Sequence, residues 1–270
     1  MVTSPHARPS AAAAPDDRPS HVADLLRLVV REPGRPRLTW YGDDGERVEL
    51  SGAVLENWIN KTTNLLVEEF DAEPSTCVVL DLGVHWRAVV WAAAAWRTGA
   101  TLVVADVGET VSASLPAGAP RPDVVVTARP ADWAGSGAQL VAVALPALAR
   151  RFDGELPPGS IDAASAVMTY GDQLGWVPAV DPGTRALVGS DGHDVEHRSL
   201  LTARSGVAPA PGARVLLRGD GTVTSALRGV LDVLACDGSL VLLSPGRARL
   251  LDEDDDVRRR LVESERVTQA

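Results

Sequence analysis

Apolar side chains at Val22, Leu25, Leu26, Val29 and Val30 recur at the spacing of one helical face. Ser20 stands where it would cap that helix, and Pro33-Gly34 stops it. The runs 37–41 and 47–50 flank the turn-rich segment 42–46 and predict a hairpin. Ser51 is placed to cap a long helix whose Val54, Leu55, Trp58, Ile59, Leu65, Leu66 and Phe70 share a face. From there the pattern alternates: strand 78–82, helix 86–97, strand 101–105, then short strands at 123–127 and 139–144. A second cycle reads strand 185–188, helix 195–204, strand 214–217, helix 223–235 and strand 239–243. Strands alternating with crossover helices imply an α/β protein with mostly parallel sheet layers and helices on both faces.

At the chain ends the pattern weakens. Residues 1–19 are rich in Pro, Ala, Ser and Asp, and are expected to form a disordered tail. Their one apolar block, Ala11 to Ala14, is too short for a signal-peptide core. The α/β domain is assigned to 20–250. Residues 251–270 carry acids followed by Arg258-Arg259-Arg260, and are expected to form a solvated, charged helix.

Charge then excludes whole classes of partner. A net charge of −10 argues against nucleic acid and against anionic membrane, both of which need clustered cations. The longest apolar stretch, 88–96, is too short to span a bilayer, so the cytoplasm is the expected location. Cys77 and Cys236 both sit in apolar runs and lack a C-x-x-C partner, so buried reduced thiols are expected. Trp58, Trp86 and Trp91 read as core residues. Lys61 is the only lysine in the chain; its place in the early helix suggests a solvated surface residue.

Two stretches resemble the AMP-binding, or adenylate-forming, enzymes, which include the acyl-CoA synthetases. In the first, Leu38-Thr39-Trp40 is similar to an opening L-T-Y, and Cys77-Val78-Val79-Leu80-Asp81-Leu82 to the strand V-A-L-L-L-P. Arg97-Thr98-Gly99-Ala100-Thr101-Leu102-Val103-Val104-Ala105-Asp106 resembles R-A-G-A-V-V-V-P-L-D, the most specific match. In the second, His197-Arg198-Ser199-Leu200 resembles H-R-N-L, Arg214-Val215-Leu216 resembles R-V-L, and the segment 236–243 resembles A-G-A-T-L-V-L. The chain is thereby identified as a member of a short actinobacterial family distantly similar to the front part of the AMP-binding N-terminal domain.

The resemblance also implies what is lost. Those enzymes cradle ATP phosphates in an S-G-T-T-G-x-P-K-G loop, where small residues expose backbone N–H groups and a lysine offsets charge. The corresponding segment here, 189–197, has no lysine and no threonine pair, and brings in Asp191, Asp194 and Glu196. Carboxylates beside a polyanion are repulsive. Any vestigial nucleotide contact is expected at Ser190, Gly192 and His197. The family's Y-G-x-T-E motif, ribose-binding aspartate motif and lid lysine have no counterpart in this sequence. The expected protein is therefore non-catalytic, without a cofactor, and binds an unidentified protein partner or small ligand.

One alternative chemistry competes. His193, Glu196 and His197 match H-x-x-E-H, in which two histidines one helical turn apart hold zinc and the glutamate acts as base. Glu253, Glu263 and Glu265 are candidate distal ligands for such a hydrolase. Against it, the pattern falls at a strand-to-helix junction. Gly219-Asp220-Gly221-Thr222 also lies between a strand and a helix; it reads as a tight turn capped by Asp or Thr rather than as a phosphate site.

Overall fold

The computed structural model describes residues 18–105, 115–189, 194–203 and 206–270. The chain begins with α1 (Val22–Val29), a hairpin of β1 (Pro36–Tyr41) and β2 (Arg47–Ser51), and α2 (Gly52–Phe70). Next come β3 (Cys77–Asp81), α3 (Trp86–Thr98), β4 (Thr101–Val104), β5 (Val124–Thr127) and β6 (Gln139–Ala142). After β7 (Ile161–Asp162) and α4 (Ala163–Ala166) follow β8 (Arg185–Val188), β9 (Asp194–Glu196), β10 (Arg214–Leu217), α5 (Val223–Ala235) and β11 (Ser239–Leu243). Helices α6 (Pro245–Glu253) and α7 (Asp255–Ser264) end the described chain.

The strands divide into two sheets. One has the order β10-β11-β1-β2, the other β7-β6-β5-β3-β4-β8-β9. All pairs are parallel except β1–β2 and β8–β9. Helices α1, α2, α3 and α5 fill the space between the sheets. The alternation along β3 shows how: Val78 and Leu80 face this central layer, while Cys77 and Val79 face the opposite side. Helix α3 is buried nearly all round, and its run Ala92 to Ala95 lets both sheets approach closely. Helices α6 and α7 cover the outer face of the smaller sheet. The outer face of the larger sheet is covered instead by a 3-10 turn at Pro130–Trp133 and adjoining loops.

Several local expectations change. The residue capping α1 is His21, whose Nδ1 accepts from the Asp24 N–H, while Ser20 Oγ donates to the Asp24 carboxylate. Arg37, fully buried, donates to Leu28 O and Val29 O at the other end of α1 and to Asp237 O and Gly238 O before β11. It replaces water for carbonyls that a helix end leaves open. Lys61 is not solvated: its Nζ donates to Tyr170 O (2.5 Å) and pairs with Asp172 (2.9 Å). With Asn60 and Asn64 it forms a polar row on α2 that holds the segment 170–175. Cys77 is buried, and burial pushes its thiol up to about 12; Cys236 is only half-buried, and both are free. Trp86 and Trp91 are buried and Trp58 packs partly buried beside them.

The terminal segment, expected as one solvated charged helix, keeps its charged residues over 252–263 exposed but packs an apolar face. It forms α6 and α7, with Ala248, Leu251 and Leu261 buried against Val241 and Leu243. Beyond α7, Glu265 is 6% exposed, and Gln269 bridges to Val215 of β10. The segment 219–222 is the tight connection expected: Thr222 Oγ1 accepts from the Ser225 N–H, capping α5. Gly219 is required there, because a Cβ would fall 2.0 Å from Leu243 O.

Candidate functional site

In an open parallel sheet, ligands bind beyond the carboxyl ends of the strands where the strand order reverses. Here the reversal is at β3, with β4 on one side and β5 on the other. Asp81 ends β3 at that point and its side chain is completely buried. Its Oδ2 accepts from Thr127 Oγ1 (2.6 Å) and Trp133 Nε1 (2.8 Å), and its Oδ1 from Arg129 Nη2 (2.7 Å). A buried carboxylate satisfied in this way is a structural tie between β3, β5 and the following turn.

Next to this edge, the β3–α3 connection brings His85 and Arg87 into the aromatic layer. His85 caps α3 by accepting from the Arg87 N–H (3.1 Å); burial and the nearby Arg87 charge lower its pKa to about 3. The Arg87 guanidinium lies 4.2 Å from the Trp86 ring centroid and donates to Leu145 O, Pro146 O and Ala147 O. Burial lowers its pKa to about 10. A guanidinium stacked on indole and committed to three carbonyls braces the loop.

Of the residues assigned to a vestigial phosphate loop, the structure describes His197 alone. Ser190 and Gly192 lie outside the described residues, as do Asp191 and His193. His197 is described, and it sits at the opposite edge of the sheet. Strand β9 runs antiparallel to β8, with Asp194 opposite Val188 and Glu196 opposite Arg185. The chain therefore returns from the carboxyl end of β8 to its amino end, roughly 10 Å away at ~3.3 Å per residue, before reaching His197. There the His197 Nε2–H donates to Gly99 O (2.9 Å), and burial holds its pKa below the ordinary value. Asp194 pairs with Arg185 (3.2 Å) and Glu196 with Arg198 (2.5 Å).

The helix expected from 195 is thus replaced by strand β9 and a 3-10 turn, His197–Ser199. Of the residues of the zinc pattern, Glu196 lies in an extended segment and is engaged by Arg198, His197 is turned onto a carbonyl, and His193 lies outside the described residues. Among the described residues no cluster of His, Cys, Asp or Glu has the arrangement of a metal site. Nor is any described helix long and apolar enough to cross a membrane.

What the amino edge does contain is a cleft of about 530 Å³. Its walls are the first turn of α1, the last turn of α3, the segment 177–182, and the 3-10 turn after β9. The walls are fastened: Trp96 Nε1 donates to Ala186 O (2.8 Å), and His197 holds Gly99, which takes a positive φ to cap α3. The volume lies within the roughly 300–1,000 Å³ typical of small-molecule sites. Sequence reasoning missed this cleft, since its walls come from four separated segments. The signal available was Arg97, a cation closing the apolar run 88–96.

Comparison with known proteins defines both fold and family. The structure superposes on an acyl-CoA synthetase from Brucella canis with a TM-score of 0.64, at 17% identity, covering 89% of this chain and 48% of that one. An acetoacetyl-CoA synthetase from Streptomyces lividans gives 0.63, at 16% identity, covering 83% and 38%. The N-terminal subdomain of Klebsiella oxytoca NpsA, solved with 3-hydroxybenzoyl-AMSN, gives 0.62, at 13% identity, covering 95% and 60%. The fold is therefore that of the front part of AMP-binding enzymes, and the chain spans less than half the length of the two synthetases. No protein-family profile matches the sequence. A protein of Mycobacterium tuberculosis described as a TIGR03089 family protein is 31% identical over 249 residues, covering 91% of this chain and 95% of that one. On that likeness over nearly the whole of both chains, the chain belongs to the TIGR03089 family.

Proposed function

We propose that this protein is a non-catalytic, cytoplasmic binding module that keeps the front half of an adenylate-forming fold without its chemistry. The observation that carries this reading is the connection from β8 to β9. Only residues 190–193 separate Gly189 from the returning strand, and none is a lysine. The single lysine of the chain is committed elsewhere, to Tyr170 O and Asp172. Adenylation develops charge on a transferring phosphoryl group, and without positioned cations and N–H donors that charge has no stabiliser.

The test is ATP–pyrophosphate exchange with purified protein over a panel of fatty, aryl and amino acids. No exchange above a buffer blank is expected. Exchange that co-purifies with the chain through successive columns would overturn the reading.

A further inference from the structure

We propose that residues 170–182 form a strap, latched onto α2 by Lys61, whose release opens the cleft at the amino edge of the larger sheet. The strap leads from a 3-10 turn, Val167–Thr169, toward β8 and belongs to no helix or strand. Such a gate stands whether or not the chain is catalytic, so pyrophosphate exchange leaves it untouched.

The first half of the strap is tied down and the second half is not. Over 170–173 its carbonyls are taken by one face of α2. Lys61 Nζ donates to Tyr170 O (2.5 Å), Asn60 Nδ2 to Asp172 O (3.0 Å), and Asn64 Nδ2 to Gly171 O (3.2 Å) and Gln173 O (2.9 Å). Asn64 Oδ1 accepts in turn from the Gly175 N–H (2.9 Å), and Tyr170 OH donates to Glu69 (2.5 Å). Lys61 with Asp172 (2.9 Å) is the one ion pair on the strap among the described residues. Beyond Gly175 the ties stop. Trp176 to Val180 make no hydrogen bond among the described residues, and Trp176 is 76% exposed. Yet Val177, Pro178 and Val180 form a wall of the cleft. That wall rests on Gly99 by close packing: a Cβ there would lie 3.4 Å from Val180 Cα. The chain is fastened again at 181–182, where the Gly183 N–H donates to Asp181 Oδ1 and the Arg198 N–H to Pro182 O. The untied stretch is thus hinged at one end and held shut from the other.

Side-chain bonds to carbonyls that water can equally serve add little net stability each, so a segment held by them opens well below the free energy of global unfolding. The closed strap also carries a cost. Asn60 Oδ1 is buried without a partner, and lifting the strap opens that amide to water. Lys61 weighs most among the ties, because its bonds are charge-assisted and its side chain is only 17% exposed. When the strap lifts, the cleft loses its wall at 177–180, and Leu200, 5% exposed in the closed state, faces solvent.

The experiment is iodoacetamide labelling of the full chain, resolved by peptide mass spectrometry, in a Cys236→Ser background with Leu200→Cys as reporter. The native Cys77, 2% exposed and on the other face of the sheet, reports global opening. Leu200→Cys is expected to label at least about tenfold faster than Cys77, at a rate nearly flat with urea below the unfolding transition. Lys61→Met should raise the Leu200→Cys rate at least about tenfold, the range for a hydrogen bond to a charged group. Asp172→Asn, on the exposed side of the latch, should raise it less and decides where Lys61→Met does not fold. Glu265→Gln, which cuts ties of the C-terminal segment to the smaller sheet, should speed Cys77 and leave Leu200→Cys unchanged. A Leu200→Cys rate that follows Cys77 and steepens with urea as global unfolding does, or one that neither latch substitution changes, overturns the gate.

Discussion

Glu265 is the residue whose removal tests the packing of the C-terminal segment most directly. Its Oε1 accepts from Tyr41 OH (2.6 Å) and Arg47 Nε (2.9 Å), and its Oε2 from Arg214 Nη2 (2.6 Å). One side chain thereby joins the end of α7 to β1, β2 and β10. Burial alone would raise its pKa, but the hydrogen bonds from Arg47, Tyr41 and Arg214 outweigh it and hold it at about 2, against an ordinary 4.5. That interval corresponds to roughly 3 kcal/mol at about 1.36 kcal/mol per pH unit. It is an upper figure, because Arg47 is 42% exposed and solvent screens its share. Since the folded pKa is depressed, the stabilisation is fully present above pH 4.5 and is lost as pH falls toward 2. Glu265→Gln keeps the shape and deletes the charge. It is expected to cost about 2–3 kcal/mol at pH 7, lowering Tm by roughly 5–10 °C. The assay is urea unfolding followed by circular dichroism from pH 7 to pH 2. The gap between the two proteins should close across pH 5 to 2, where the native carboxylate itself becomes protonated. A gap that stays constant over that range refutes the electrostatic reasoning.

Two further substitutions probe the sheet edges. Asp81→Asn removes the charge that answers Arg129 and puts an amide donor among donors, so a loss of about 3 kcal/mol is expected in the same unfolding assay; a change within about 0.5 kcal/mol of zero contradicts the tie described. His197→Ala deletes the bond to Gly99 O and should cost about 1–2 kcal/mol. Elemental analysis of the unmodified protein after dialysis should find no stoichiometric zinc, and retained zinc that His197→Ala releases would restore the hydrolase reading.

Legibility in the sequence followed how far each element declares its own burial. Strand β8, strand β10, helix α5 and strand β11 match the pattern to the residue, because each is a short apolar run closed by Gly, Pro or a cap. Strand β9 went unread. Asp194-Val195-Glu196 alternates polar, apolar, polar, as an edge strand does, but the likeness of His197-Arg198-Ser199-Leu200 to a helix start outweighed three residues of alternation. Strand β7 covers only Ile161–Asp162, too short for any period. The division into two sheets rests on β1 pairing with β11, from opposite ends of the chain, and periodicity carries no information on such pairing. In α7 the charges dominate and hide Val257 and Leu261, whose spacing of one helical turn marks the face that packs. Of the candidate site residues, His197 was expected to open a helix; it lies instead on a 3-10 turn, carried to the far edge by an antiparallel return that periodicity does not show.

Whether that far edge attracts an anion depends on which helix end wins there. Helix α3 brings its negative end to the cleft, which by itself would repel a carboxylate. Its terminal carbonyls are nonetheless answered within the protein. Trp96 O accepts from the Gly99 N–H, Ala95 O from the Ala100 N–H and Thr98 Oγ1, and Gly99 O from His197. A partial charge of about half an electron, spread over satisfied carbonyls, stands against the whole charge of Arg97 in the same turn. The opposing wall adds the positive end of α1, where Asp24 is already engaged by Ser20, His21 and Arg27. Glu196, the acid nearest along the chain to the 3-10 turn, is held by Arg198. Asp24 and Glu196 are paired, but Glu56 acts on Arg97 and Asp181 on His197, so the charge at this edge is mixed.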